Sequence, residues 1–134
     1  QRRVPYRLLV VPGCVSVPRD LLKDINEYGR DIPETYGVPV EEIQQGIKHG
    51  VRKVNIDTDL RLASTASIRK FLADNPAEFD PRKYLAVSQK AMKDVVIARY
   101  EAFGTSGNAD KIQAKSLESM FIQYAAGELA PMIA

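Results

Sequence analysis

Only two stretches of this chain read as β-strands, the apolar run LLVV at 8–11 and VRKVNID at 51–57, and two helical patterns lie between them. Strands joined through helices run parallel, because a hairpin return needs a short turn and a crossover does not. Two parallel strands alone are a poor sheet, since parallel sheets normally sit inside larger α/β arrangements with both faces covered. A length of 134 residues would suffice for a closed domain. The pattern instead predicts a single incomplete domain over 1–134, part of a larger α/β fold.

The helices follow from apolar spacing. Leu21, Leu22, Ile25 and Tyr28 fall on one helical face after Pro18, and Gly29 is placed to end that helix. RDIPETYGVP at 30–39 is a loop. Val40, Ile43 and Ile47 predict a second helix, with Glu41 and Glu42 in its first turn and Lys48 and His49 near its end, complementing the helix dipole. After the second strand the spacing predicts a helix over 60–73 whose core face is Leu60, Ile68 and Leu72. NPAEFDP breaks the chain, a long amphipathic helix covers 82–103 until GTSGN, and a last helix covers 117–126.

Charge and cysteine usage exclude several classes. Nineteen basic residues are scattered among seventeen acids for a net charge of +2, so no dedicated nucleic-acid or anionic-membrane surface is expected. No apolar run approaches the roughly 18 residues of a membrane span. LLVV is shorter than the roughly 7–15 apolar residues of an export signal. Cys14 is the only cysteine, which rules out an internal disulfide or a Cys-rich metal site and fits a reducing, cytoplasmic setting.

The second strand ends abruptly in polar groups. In KVNIDTDLRLA (53–63), Asn55, Asp57, Thr58 and Asp59 replace the glycine or proline of an ordinary turn. Either Thr58 or Asp59 caps the next helix, or the strand delivers a binding site; the spacing leaves both open. By spacing alone, Asp57 and Asp59 are helix-capping acids and Arg82 is a solvated first-turn arginine. His49 reads as an exposed helix-end residue and Cys14 as a small loop or core residue.

Four segments carry a resemblance: YGVPVEEIQQGIKHGVRKVNIDTDLRLA (36–63), IRKFLADNPAEFDPRKYL (68–85), FGTSGNADKI (103–112) and YAAGEL (124–129). The chain resembles class II fructose-1,6-bisphosphate aldolase of the branch associated with the Calvin cycle, over nearly its whole length from about Val17. Members are zinc-dependent (β/α)8 barrels that reversibly cleave fructose 1,6-bisphosphate into dihydroxyacetone phosphate and glyceraldehyde 3-phosphate. The resemblance implies a partial (β/α)8 TIM barrel, helix-rich, comprising the last two βα units and the carboxyl-terminal helices. Barrel phosphate sites are often built from the loops after strands 7 and 8.

It also implies site residues. Asn55, Asp57 and Thr58 match positions that line the dihydroxyacetone phosphate pocket, with Asn55 and Asp57 sharing one face of the strand. An amide at Asn55 suits a developing enediolate oxygen, and the Thr58 hydroxyl with helix N-terminal N–H groups suits a phosphate. Gly13 lets backbone approach the same phosphate, and Ser16 keeps one hydroxyl there. Arg82, in DPRKYL, matches an arginine used on the far phosphate, sometimes from a neighbouring subunit; its fork pairs two phosphate oxygens.

The departures bear on activity. The family strand runs into His-Gly-Ser-Ser-Ser-Val-Pro, whose histidine binds the metal, whereas this chain reads VVPGCVSVP at 10–18. Pro12 holds the histidine position and has no ligating lone pair, and Val15 replaces a serine. The other metal ligands and the proton-transfer acid belong to the first six strands of the barrel. Residues 1–11 match the family strand only as an apolar run, as a truncated or frame-shifted reading would leave. The expectation is a carboxyl-terminal aldolase part that binds sugar phosphate, holds no zinc and is inactive alone, paired with itself or with a companion aldolase chain. The alternative is a non-catalytic helical association module using the 82–103 helix.

Overall fold

The computed structural model describes residues 8–12, 19–29, 31–33 and 36–128. Among these the order is β1 (Leu9–Val11), α1 (Arg19–Glu27), α2 (Val40–Lys48), β2 (Val51–Val54), α3 (Thr58–Asp74) and α4 (Pro81–Ala102), then a 3-10 turn (Ala109–Lys111) and α5 (Leu117–Ala125). The arrangement is α/β and helix-rich, as expected. β1 and β2 pair in parallel with Leu9 opposite Val51 and Val11 opposite Val54, and the register shifts between Leu9 and Val10. The ladder extends at both ends: the Leu9 N–H donates to the Gly50 carbonyl at 3.1 Å and the Asn55 N–H to the Val11 carbonyl at 3.0 Å.

β2 is shorter than the expected 51–57 strand. β1 stops at Val11, and among the described residues the chain past Asn55 has no strand partner to hold it extended before it turns into α3. α2 lies close on β2. A Cβ at Gly46 would sit 3.2 Å from the Val51 side chain, so glycine lets the helix approach the strand. Gly50, at φ +110°, makes the left-handed turn between them that other residues adopt only under strain. Ile43 and Val51 are buried at this contact.

α3 is the central helix, packed against α1 on one side and α4 on the other. From α1 it receives buried Leu22 and Ile25, and Arg69 reaches back to donate to the Ile25 carbonyl at 3.3 Å. Its own buried residues are Asp59, Ala63 and Ala66, spaced along one stripe, rather than the expected Leu60, Ile68 and Leu72. Leu72 is 37% exposed. The reason is steric: a helix approached from two sides presents its small residues where the neighbours come closest. Leu60 instead lines an apolar cavity of about 450 Å³ with Val54, Ile56, Val96, Tyr100 and Phe103. α3 and α4 run antiparallel, tied by a 2.7 Å hydroxyl contact between Ser64 and Ser88 and by Arg99 on Asp59.

Ile25 is fully buried, so Ile25→Ala should cost about 2–5 kcal/mol of unfolding free energy, whereas the partly exposed Leu72→Ala should cost about 1 kcal/mol. Urea titration followed by helix circular dichroism checks both; equal effects would contradict this assignment of the core.

Candidate functional site

The parallel pairing brings the carboxyl ends of β1 and β2 to one side. Asn55 leaves β2 bonded to Val11, the residue from which the loop after β1 departs. In open α/β sheets, ligands occupy the crevice outside such strand ends. Gly13 and Ser16, expected in that loop, lie outside the described residues, as does Cys14. Because β2 ends at Val54, Asn55 and Asp57 do not share a strand face as expected. They sit in a three-residue connection that delivers Thr58 as the first residue of α3.

Asp57, not Thr58 or Asp59, is the N-cap residue of α3, and its side chain makes no capping hydrogen bond. Its carboxylate accepts from Arg61 Nε at 2.8 Å, one turn along, with both side chains largely exposed. The acid is therefore already committed to a guanidinium. The first-turn N–H groups of a helix have no acceptors within it and face outward at this end. Asn55 and Thr58 are half-buried and Asp57 is exposed. Together they form a polar mouth at a helix N-terminus beside a strand end.

Asp59 was expected as a capping acid, and the structure corrects this. It is fully buried and accepts from Arg99 Nη2 at 2.8 Å, on an arginine side chain that is itself 14% exposed. Arg99 stands in the last turn of α4, where a cation also suits the helix dipole. The available signal was position: Asp59 continues the Ala63 and Ala66 stripe, and an acid on a packing stripe needs a buried partner.

Arg82 stands elsewhere. Asp59 faces Arg99 and Ser64 faces Ser88, so Arg82 lies beside the distal half of α3, roughly 20 Å from Thr58 at about 1.5 Å per residue. The structure does not bring it together with Asn55, Asp57 and Thr58. It is 89% exposed and gripped by Asp80: Nε donates to both carboxylate oxygens at 3.0 and 3.1 Å, and Nη2 to Oδ2 at 2.6 Å. Asp80 also caps α4 by accepting the Arg82 N–H at 3.0 Å, with Pro81 as the first helical residue. Glu78 accepts from Lys83 and from the Phe79 and Asp80 N–H groups. His49 is exposed at the end of α2, as expected. Among the described residues no three His, Cys, Asp or Glu side chains group as a metal cradle. Pro12 offers no donor, so the described residues do not fit a zinc site.

The Arg82 guanidinium, then its N–H, hold the Asp80 carboxyl below the usual aspartate range. A depressed folded value means this stabilisation is present above the unfolded value of about 3.9 and is lost as pH falls through the folded value. The first turn of α4 should therefore stay capped on acidification to about pH 4 and fray only below it. Carboxyl ¹³C titration of Asp80 checks this, and Asp80→Asn should remove the step; titration at or above the ordinary value would contradict it.

The family model "Fructose-bisphosphate aldolase class-II" matches residues 10–108. The chain is 68% identical over 131 residues to a fructose-bisphosphate aldolase of Stutzerimonas stutzeri, covering 98% of this chain and 37% of that protein. A Pseudomonas aeruginosa fructose-bisphosphate aldolase is 66% identical with the same coverage. A Synechocystis protein named fructose-bisphosphate aldolase class 2 is 56% identical, covering 96% of this chain and 36% of its own length. The expected loss of similarity upstream of Val17 is not found, because the family match begins at residue 10 and the alignments take in nearly the whole chain. The chain thus spans little more than a third of the length of these relatives. With a family match over most of its residues, this chain belongs to the class II fructose-bisphosphate aldolases.

Proposed function

We propose that the chain is the sugar-phosphate-holding part of a class II aldolase, acting on the dihydroxyacetone phosphate half of fructose 1,6-bisphosphate. The observation that carries this is the Asn55–Val11 bond, which sets the polar 55–58 segment against the departure of the loop after β1. The Asn55 amide donates to the enediolate oxygen. The Thr58 hydroxyl and the first-turn N–H groups of α3 hold the phosphate. Asp57 would repel a phosphate on its own; paired with Arg61 it orients a substrate hydroxyl instead. Gly13 and Ser16 complete the phosphate loop. Arg82 is too distant for the same pocket and serves the far phosphate of a neighbouring subunit's site, presented by its bond to Asp80.

β1 and β2 are the last two strands of a (β/α)8 barrel, and the chain works in a cytoplasmic homo-oligomer or beside a companion aldolase chain. Zinc supplies electrophilic stabilisation of the enediolate in the complete family enzyme. The described residues do not fit it. The chain alone is inactive.

The test adds zinc, fructose 1,6-bisphosphate and dihydroxyacetone phosphate to the purified chain. No cleavage is expected, while dihydroxyacetone phosphate should shift the amide resonances of Asn55 and Thr58. Asn55→Ala should weaken that binding by about tenfold or more, the value of a hydrogen bond to a charged group; Arg82→Ala should leave it unchanged. Steady cleavage, or shifts confined to other residues, would overturn the reading.

A second reading, a helical association module, is favoured by α5. Leu117, Phe121 and Tyr124 lie along one face and are 90%, 73% and 65% exposed, and α4 also exposes Leu85 and Tyr100. Surfaces of this kind mark contacts. Sedimentation should show association that rises with concentration and falls in the Leu117→Ser, Phe121→Ser double variant; a monomer at every concentration would end this reading.

A further inference from the structure

A carboxylate removed from water is costly unless a cation and hydrogen bonds replace the lost hydration. Asp59 is such a group, and it is the second residue of α3, next to Thr58 and two from Asp57. Its cation comes from another helix, 40 residues along the chain. Asp59 is fully buried and the Arg99 side chain nearly so, and the pair therefore stands where water competes poorly. The other polar tie between these helices, Ser64 with Ser88, lies more than a turn further down α3 and does not constrain its first residues.

We infer that Arg99 is a positioning residue for the phosphate mouth: by holding Asp59 inward it fixes the rotation of the first turn of α3, and with it Thr58 and the outward N–H groups. A helix turns about 100° per residue. Any rotation that carried Asp59 toward water would swing the neighbouring Thr58 side chain by the same angle. Phosphate recognition by backbone and hydroxyl donors depends on sub-ångström placement. Arg99 touches no substrate atom; it acts through Asp59. The inference rests on the proposed sugar-phosphate site for its functional half, while its mechanical half, the fixed first turn, stands on geometry alone.

The experiment compares the full chain with Arg99→Met, Arg99→Lys and Ser88→Ala by dihydroxyacetone phosphate titration and amide hydrogen exchange. Arg99→Met should lose about tenfold or more in affinity, the scale of a misplaced binding group, with faster exchange concentrated in residues 59–62. Arg99→Lys keeps a cation on Asp59 and should recover most of the affinity. Ser88→Ala loosens the same helix pair and should lower the melting temperature without changing affinity. The inference is overturned if Arg99→Met binds like the parent, if Ser88→Ala costs as much affinity, or if exchange rises evenly through α3. Should the parent chain not bind dihydroxyacetone phosphate, the substrate reading fails by itself. The exchange pattern then still decides whether Arg99 fixes the turn. If Arg99→Met does not fold, Arg99→Lys carries the test: retained affinity with protected 59–62 amides supports the clamp, and lost affinity in a folded chain overturns it.

Discussion

A fully buried aspartate one residue into a helix can exist only if a cation is brought to it, and the rest of this structure is arranged around that requirement. Arg99 reaches Asp59 because α4 is long and antiparallel to α3 and because Ala63 and Ala66 let the two helices close together. Buried ion pairs contribute little net stability, since the desolvation of both groups offsets their attraction. What such a pair supplies is uniqueness. Leucines packed on leucines tolerate a shift of a residue or a rotation of the helix; a carboxylate that must meet one guanidinium does not. The first turn of α3 is therefore defined by chemistry, where apolar packing alone would leave it adjustable.

That definition has a geometric consequence. The α3–α4 hairpin is a rigid strut with Asn55, Asp57 and Thr58 at one end and Arg82 near the other, separated by roughly 20 Å, the rise of about a dozen helical residues. A bisphosphate of six carbons is much shorter than this. Under the proposed sugar-phosphate reading, the two groups would therefore belong to different pockets. The capping of α4 is built accordingly. Asp80 satisfies the helix end and grips Arg82 at once, so the arginine that faces outward is ordered before any ligand meets it. Glu78 and Lys83 brace the same turn.

Much of the local structure was legible in the sequence, and the reasons differ by element. α2 is legible to within a residue of its observed bounds, because Val40, Ile43 and Ile47 repeat at helical spacing between a proline and a glycine. α5 was found nearly as well from its apolar spacing. The bounds of α3 and α4 were read to within about two residues, since polar breaks flank both. The core face of α3 was not legible: hydrophobicity ranks Leu72 above Ala63, but a helix with neighbours on two sides buries what is small. The end of β2 is not visible locally, because a strand lasts only as long as its partner, and that partner's end at Val11 is a non-local fact. Spacing makes Asp59 a capping acid for the same kind of reason; its partner is 40 residues away. The separation of Arg82 from Asn55 could not be seen in either motif, since it follows from the length and direction of the helices between them.

The small buried apolar set bears on what the exposed faces can do. Among the described residues the buried hydrophobic set is Leu22, Ile25, Ile43, Val51, Ala63 and Ala66, and two of these are alanines. At about 25 cal/mol per Å² of buried apolar area, so small a set leaves a narrow margin over the entropy of ordering five helices. Meanwhile Leu117, Phe121 and Tyr124 stand in water on α5, and β1 and β2 each have an edge with no strand beside it among the described residues. Any partner that covers these faces binds the folded form alone and stabilises it by mass action. The contacts that complete the fold would then also order the strand ends at which Asn55 and Thr58 stand, so covering these faces and ordering the polar mouth are linked through one folding equilibrium.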